Sequence, residues 1–316
     1  MNRWFKHWVM LGATLSLIAC GGGNDDHPAP GNIVVVAQAN GFNALAAAAT
    51  KAGLVTALSD AAASLTVFAP TDAAFGALAT QLGFANAAAM VEALPAATLA
   101  NILKYHVLPS KKTAADLTAG GPTQITLYAF GGVPATLALS TVGGVSITDA
   151  AQTKAKVVTA DVAASNGVIH AIDKVLVPPG VLNVVQMAQV NPLFSTLVAS
   201  VVKANLQGTL SGAGPFTVFA PTNDAFTAIQ STVASLTTAQ LTKVLTYHVL
   251  PSQVLAAGIP FGAPVATVEG ETITINAGTP PTITDKSTAK ASIVITDVRA
   301  SNGVIHVINK VLIPTL

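Results

Sequence analysis

Four histidines have the greatest chemical potential in this chain, and they recur as two pairs, His106 with His170 and His248 with His306. An imidazole pair with a carboxylate, Asp161 or Asp297, has the composition of a metal site if the ligands converge. Ser165, His170 and Asp161 also have the composition of a hydrolase triad, and Ser301, His306 and Asp297 repeat it. Position argues against both chemistries. Alternation along a strand puts His170 on one face with Val168 and Ile172, an apolar setting that suits a hydrogen-bonded core histidine. Ser165 stands beside an Asn166-Gly167 turn, not in a Gly-x-Ser-x-Gly elbow. The glycine pairs at 120–121, 131–132 and 143–144 fall between strands and form turns, not a phosphate loop. The expectation is a protein that is not an enzyme, with no cofactor and no metal, whose histidines serve the fold.

The elements that carry these residues occur twice. Thr66 to Phe75 recurs as Thr217 to Phe226, Tyr105-His106-Val107-Leu108-Pro109-Ser110 as Tyr247 to Ser252, and Asp161 to Pro178 as Asp297 to Pro314. The offsets are 151, 142 and 136, so the second copy is shorter by 9 residues before the Tyr-His step and by 6 after it. Loops are expected to absorb such changes. Each copy opens with amphipathic helices, at about 32–60 and 181–207. A short strand, Thr66 to Ala69, then turns into a helix whose first-turn amides Thr71 or Asp72 can cap, as Thr222 or Asn223 can in the second copy. After Tyr105-His106 the texture changes to strands at 124–130, 135–140, 145–148, 155–161, 167–172 and 174–177, with Asn166-Gly167 and Asn302-Gly303 as hairpin turns. Helices followed by strands indicate a segregated α+β fold. Pro178-Pro179-Gly180 divides the copies into domains at 31–178 and 179–316, joined with little slack.

The ends and the composition bear on location. Arg3 and Lys6 precede an uncharged run from Trp8 to Ala19, which is shorter than the roughly 20 residues of a membrane span and has the build of a signal peptide over residues 1–19. Leu17-Ile18-Ala19-Cys20 resembles the lipobox of bacterial lipoproteins, which implies cleavage before Cys20 and lipidation of its sulfur. Residues 20–30, rich in Gly and Pro, form a tether. Gly21 stands where Asp would signal inner-membrane retention, so by that rule the outer membrane is favoured. Cleavage leaves no second cysteine and so no intrachain disulfide. It also takes the 15 basic residues to 13 against 14 acidic, a net charge of −1. With 9% charged and 5% aromatic residues, nothing favours nucleic acid. The mean hydropathy of +0.60 comes largely from Ala and Val in core elements. The uncharged stretch from Val181 to Val202 is interrupted by Asn183, Gln186, Gln189, Asn191 and Pro192, and is expected to be a core helix, not a span.

The three repeated blocks resemble the motifs of the fasciclin (FAS1) family: Thr-Val-Phe-Ala-Pro-Thr-Asp/Asn, Tyr-His-Val-Leu and Asn-Gly-Val-Ile-His-x-Ile-x-Lys-Val-Leu. The resemblance covers about residues 31–315. It implies two tandem FAS1-like domains, each a β-sandwich or wedge with a helical layer, in an extracellular adhesion protein without a cofactor. Animal members present adhesion sequences around the Tyr-His segment. By that pattern Tyr105, His106, Val107 and Leu108, with Tyr247, His248, Val249 and Leu250, form the candidate adhesion segments. No counterpart of the acidic integrin-contact motif is present, so a cell-surface or matrix component, protein or polysaccharide, is the implied partner. The alternative is a cell-envelope binding protein for a small apolar ligand, lipid or pigment, held between helices and sheet.

Overall fold

A computed structural model describes residues 30–316. Cys20, the signal segment and all but the last residue of the tether lie outside the described residues. The first copy runs α1 (Ile33–Ala39), α2 (Asn43–Lys51), α3 (Val55–Ser59), β1 (Leu65–Pro70), α4 (Asp72–Gln81), α5 (Ala87–Ala93), α6 (Ala96–Tyr105), β2 (Val107–Leu108) and α7 (Ala114–Ala119), then β3 (Thr123–Phe130), β4 (Val133–Ser140), β5 (Ser146–Thr148), β6 (Lys154–Ala164) and β7 (Gly167–Ile172). The second runs α8 (Val184–Val190), α9 (Ser195–Lys203), α10 (Gln207–Ser211), β8 (Phe216–Pro221), α11 (Asn223–Thr227), α12 (Gln230–Ser235), α13 (Thr238–Tyr247) and β9 (Val249–Leu250), then β10 (Pro264–Ala266), β11 (Thr272–Asn276), β12 (Thr282–Thr284), β13 (Ala291–Ala300) and β14 (Gly303–Ile308).

The opening helical stretches are each broken into short helices. Gly41 (φ 78°) and Gly53 (φ 68°) take the left-handed conformation that ends a helix, and Asn205 (φ 54°) does the same in the second copy. The caps fall to threonine: Thr71 accepts from the Ala74 amide and Thr222 from the Ala225 amide. Asp72 and Asn223 reach back instead, to the amides of Ala44 and Thr196, and tie α4 to α2 and α11 to α9. Among the described residues no single helix is long and apolar enough to cross a bilayer. The apolar stretch at 184–203 is bent by 106° at its break.

Each copy builds one seven-stranded sheet, in the orders β2-β1-β7-β6-β5-β4-β3 and β10-β11-β12-β13-β14-β8-β9. β1 and β7 are parallel, as are β8 and β14, and every other pair is antiparallel. β6 is the corner strand: its first residues pair with β5, the rest with β7, and the register slips between Val157 and Val162. Bulges bend a strand and sharpen its twist, and here they fold the sheet into a wedge. Phe68, Leu108, Leu137, Ile147 and Ile172 fill the wedge. Val67, Ala69, Ile169 and Ala171, on the opposite face, pack under the helices.

Three expectations are corrected. Residues 174–177 are not a strand; they form an extended segment whose Leu176 and Val177 amides bond to side chains, His106 and Asp149, not to a neighbouring strand. The hairpin turn is Ser165-Asn166, with Gly167 opening β7. Gly167 is needed for close approach, because a Cβ there would lie 2.2 Å from the Leu65 carbonyl oxygen in the parallel pair, and Gly303 repeats this at 2.3 Å from Phe216. Finally, elements absorb the length differences as well as loops. The 10-residue α4 has a 5-residue counterpart in α11, and the 8-residue strands β3 and β4 shrink to β10 and β11 of 3 and 5 residues.

The copies are packed together at their joint. One apolar cluster runs from Val175 and Val177 into Leu182, Val185 and Val190. The buried Asn191 donates to the Ala151 carbonyl at 2.8 Å, and the Tyr128 hydroxyl donates to the Pro179 carbonyl at 2.9 Å. Gly180 (φ 73°) donates its amide to the Arg299 carbonyl and lies so close to Phe130 that a Cβ would fall 1.9 Å from the ring. A side chain there would have to displace the Phe130 ring and hold a left-handed backbone.

Candidate functional site

The Tyr-His segment forms where α6 runs directly into β2. His106 follows the last helical residue, and its ring bridges two elements. Nδ1 donates to the Ile102 carbonyl at 2.7 Å, and Nε2 accepts the Leu176 amide at 2.8 Å. His248 repeats this with the Val244 carbonyl and the Leu312 amide, both at 2.8 Å. The accepted amide fixes the tautomer, with the proton on Nδ1. Burial pushes both rings down to about 4, so each is neutral at pH 7.

The second pair uses the opposite tautomer. His170 Nδ1 accepts the Asp161 amide at 3.2 Å, so its proton sits on Nε2, which donates to the Lys112 carbonyl at 2.9 Å. His306 does the same with the Asp297 amide and the Val254 carbonyl. Each ring also lies 5.7 Å from a phenylalanine, Phe68 or Phe219. Asp161 and Asp297 hold the left-handed conformation (φ 59° and 60°) at the bulge of the corner strand. Their carboxylates accept the amides of Ala114 and Ala256.

This geometry removes the triad. A general base needs an imidazole lone pair facing the serine; in His170 that lone pair faces the Asp161 amide. Ser165 is exposed, and its amide donates to the Gly31 carbonyl. It also removes the metal pair, since every ring nitrogen of the four histidines is engaged by backbone. Among the described residues no group of three His, Cys, Asp or Glu is placed to hold an ion.

The candidate adhesion segments are interior. Tyr105, His106, Val107 and Leu108 are at most 4% exposed, and Tyr247, His248, Val249 and Leu250 at most 2%. β2 pairs with β1, and β9 with β8, each as an end strand of its sheet. The tyrosine hydroxyls donate to the Thr136 and Thr272 carbonyls at 3.0 Å. The bulky apolar residues around the Tyr-His step are therefore core residues: Tyr105 and Leu108 fill the wedge, and Val107 packs under the helices.

The motifs share further structural work. The Thr66 hydroxyl donates to the Ser110 carbonyl and accepts the Lys112 amide, as Thr217 does with Ser252 and Val254. Asn166 accepts the Ile33 amide and donates to the Leu58 and Asp60 carbonyls; Asn302 repeats this with Val184, Leu210 and Gly212.

Sequence reasoning missed two groups. Asp149 and Asp285 occupy equivalent buried positions below the same extended segment, and the repeated Ile-Thr-Asp at 147–149 and 283–285, at the offset of 136, is the signal. Asp149 accepts the Thr153 hydroxyl and amide and the Val177 amide, and burial pushes its carboxyl up to about 6. Asp285 adds an ion pair with Lys310 at 2.9 Å. Burial raises Asp285, but the Ser287 hydroxyl and Lys310 bring it net below its ordinary value. The other missed residue is Arg299, which stands where the first copy has Ala163. Its guanidinium lies 5.3 Å from the Phe130 ring centre across the joint, and its Nε is buried without a hydrogen-bond partner among the described residues. A charge in one copy of the repeat only was the legible sign.

The sequence profile of the Fasciclin domain matches residues 40–178 and 192–314. The chain belongs to the fasciclin family. These fasciclin domains are similar to Protein sll1483 of Synechocystis, with 45% identity over 142 residues, covering 43% of this chain and 75% of that protein. They are also similar to transforming growth factor-beta-induced protein ig-h3 of Sus scrofa, 36% identical over 155 residues, covering 48% of this chain and only 22% of that protein. A solved FAS1 domain pair from the insect cell adhesion molecule fasciclin I aligns over 89% of this chain and 95% of its own, with 17% identity and a TM-score of 0.42.

Proposed function

We propose that this chain is a non-enzymatic, surface-tethered adhesion protein. Lipidated Cys20 anchors it in the cell envelope, on the outer membrane, after removal of residues 1–19. Two fasciclin domains, 31–178 and 179–316, contact a cell-surface or matrix component, protein or polysaccharide. The observation that carries this reading is that the motif residues capable of chemistry are spent on the scaffold. Histidines, aspartates, threonines and asparagines of the repeated blocks bond to backbone, so the outer surface is left as the working part. Family membership supports adhesion as the kind of role. The contact residues lie among exposed side chains and not in the Tyr-His segments.

Two measurements test the proposal. The wild-type chain is expected to take up labelled fatty acid during growth, and Cys20→Ala to take up none and stay uncleaved. Absence of label on wild type removes the anchor. Residues 31–316 are expected to bind a cell-surface or matrix preparation saturably. Binding that rises linearly with no plateau removes the adhesive role.

A further inference from the structure

The first domain contains an apolar cavity of about 350 Å³ between α1, α2, α3, β1 and α6. In the second domain the same place holds about 40 Å³. The matching bonds from Ala44 to Asp72 and from Thr196 to Asn223 align α2 with α9. By that alignment Ala46 and Ala49, which line the large cavity, correspond to Val198 and Val201, which line the small one. Small side chains in one copy keep open what valines close in the other. A void forfeits the dispersion contacts of its lining, and protein interiors are otherwise close-packed. A helical layer shaped for stability alone would be filled, as the second copy is.

The chemistry of the lining selects the occupant. The walls are aliphatic, from residues such as Ile33, Leu45, Leu58 and Val67, and the volume falls at the small end of ligand pockets, about 300–1,000 Å³. Of the residues lining the cavity only Lys104 is charged, and no carboxylate lines it. Lys104 is exposed, so its ammonium is at the solvent side, while His106 is neutral and both its nitrogens are engaged. Lys104 precedes the Tyr-His step; Thr246 stands at that position in the second copy. The first domain therefore has both the space and the cation, and the second has neither.

We propose that the first domain is a binding site for one long-chain carboxylate, a free fatty acid, with its hydrocarbon in the cavity and its carboxylate on Lys104. The inference is independent of the adhesive role. The test uses the full chain, delipidated and titrated with hexadecanoate and with its methyl ester. One hexadecanoate is expected per chain. Ala46→Val with Ala49→Val, which copies the second domain, is expected to weaken binding by tenfold or more while the protein stays folded. Lys104→Thr, a surface change, is expected to weaken hexadecanoate about tenfold and leave the methyl ester unchanged, because only the charge-assisted bond is lost. No binding to wild type, two equivalents per chain, or equal loss of acid and ester in Lys104→Thr would each overturn the proposal.

Discussion

Asn166→Ala is expected to destabilise the first domain by about 3 kcal/mol, an unusually large effect for a side chain that is neither apolar nor catalytic. Asn166 is 2% exposed and serves three backbone groups at once. Its Oδ1 takes the Ile33 amide at the start of α1, and its Nδ2 holds the carbonyls of Leu58, in the last turn of α3, and of Asp60, just past its end, each at 2.9 Å. One hairpin residue thus pins both ends of the opening helical layer to the sheet. A buried polar group left without a partner costs about 1–3 kcal/mol. Asp60 is exposed and its carbonyl regains water, so the total is less than three full penalties. Asn166→Asp keeps the acceptor but places a carboxylate against two carbonyl oxygens, and should be at least as damaging. Asn302 holds the same place in the second domain and should respond alike. Urea unfolding of the variants checks this. A loss below about 1 kcal/mol would show that the helical layer is held mainly by its apolar face.

The second large effect concerns acid. His248 is neutral in the folded second domain with a pKa near 4, whereas an unfolded histidine titrates near 6.5. Below pH 6.5 the unfolded chain binds a proton that the folded one refuses, so stability falls as pH falls from 6.5 towards 4. The shift corresponds to about 3 kcal/mol at the end of that window. Burial also lowers His306, which adds in the same direction. The first domain has the same liability in His106, but Asp149 opposes it. Its folded pKa of about 6 lies above the unfolded value near 4, so its contribution is fully present below pH 4 and is lost as pH rises through 6. Asp285, paired with Lys310, is lowered instead and provides no such compensation. The second domain should therefore open first on acidification. Amide exchange at pH 5 read separately on β8–β14 and on β1–β7 resolves the two. Asp149→Asn should make the first domain as acid-labile as the second. Faster exchange in the first domain of the wild type would contradict the assignment.

How far the sequence could be read follows from what each residue's neighbours decide. The three repeated blocks carry local signals: alternation in β7, helical spacing in α6, and the cap at Thr71. These were legible because they depend on near neighbours in the chain. The histidines were legible as core residues for the same reason, although their partners were not. Leu176 bonds His106 across 70 residues, and nothing in the spacing of either announces it. The extended segment 174–177 has strand composition but spends its amides on side chains, which alternation cannot reveal. The burial of the Tyr-His step was not legible, because its apolar flank reads equally as a sticky surface or as a buried strand, and only the tertiary packing around Tyr105 to Leu108 decides. Asp149 was passed over because an isolated aspartate in a strand-rich stretch usually faces solvent. Its repetition at the common offset was the overlooked signal.

The joint bears on what the duplication would add to the proposed adhesive role. Gly180 against Phe130, Arg299 over the same ring and Asn191 on Ala151 fix the two domains in one orientation. A second contact made by a held partner is intramolecular, with an effective concentration around millimolar for a short linker. The central claim, a two-domain adhesive unit that works through its fixed joint, is tested most directly by surface-binding affinity. Residues 31–316 would be compared with the same chain carrying a long Gly/Ser insert between Pro179 and Gly180, and with 31–179 and 180–316 alone. The tandem is expected to bind at least about tenfold more tightly than either half, and the insert to remove part of that gain. If one half alone matches the tandem, the second copy is a spacer or serves another partner, and the account of paired adhesion is wrong.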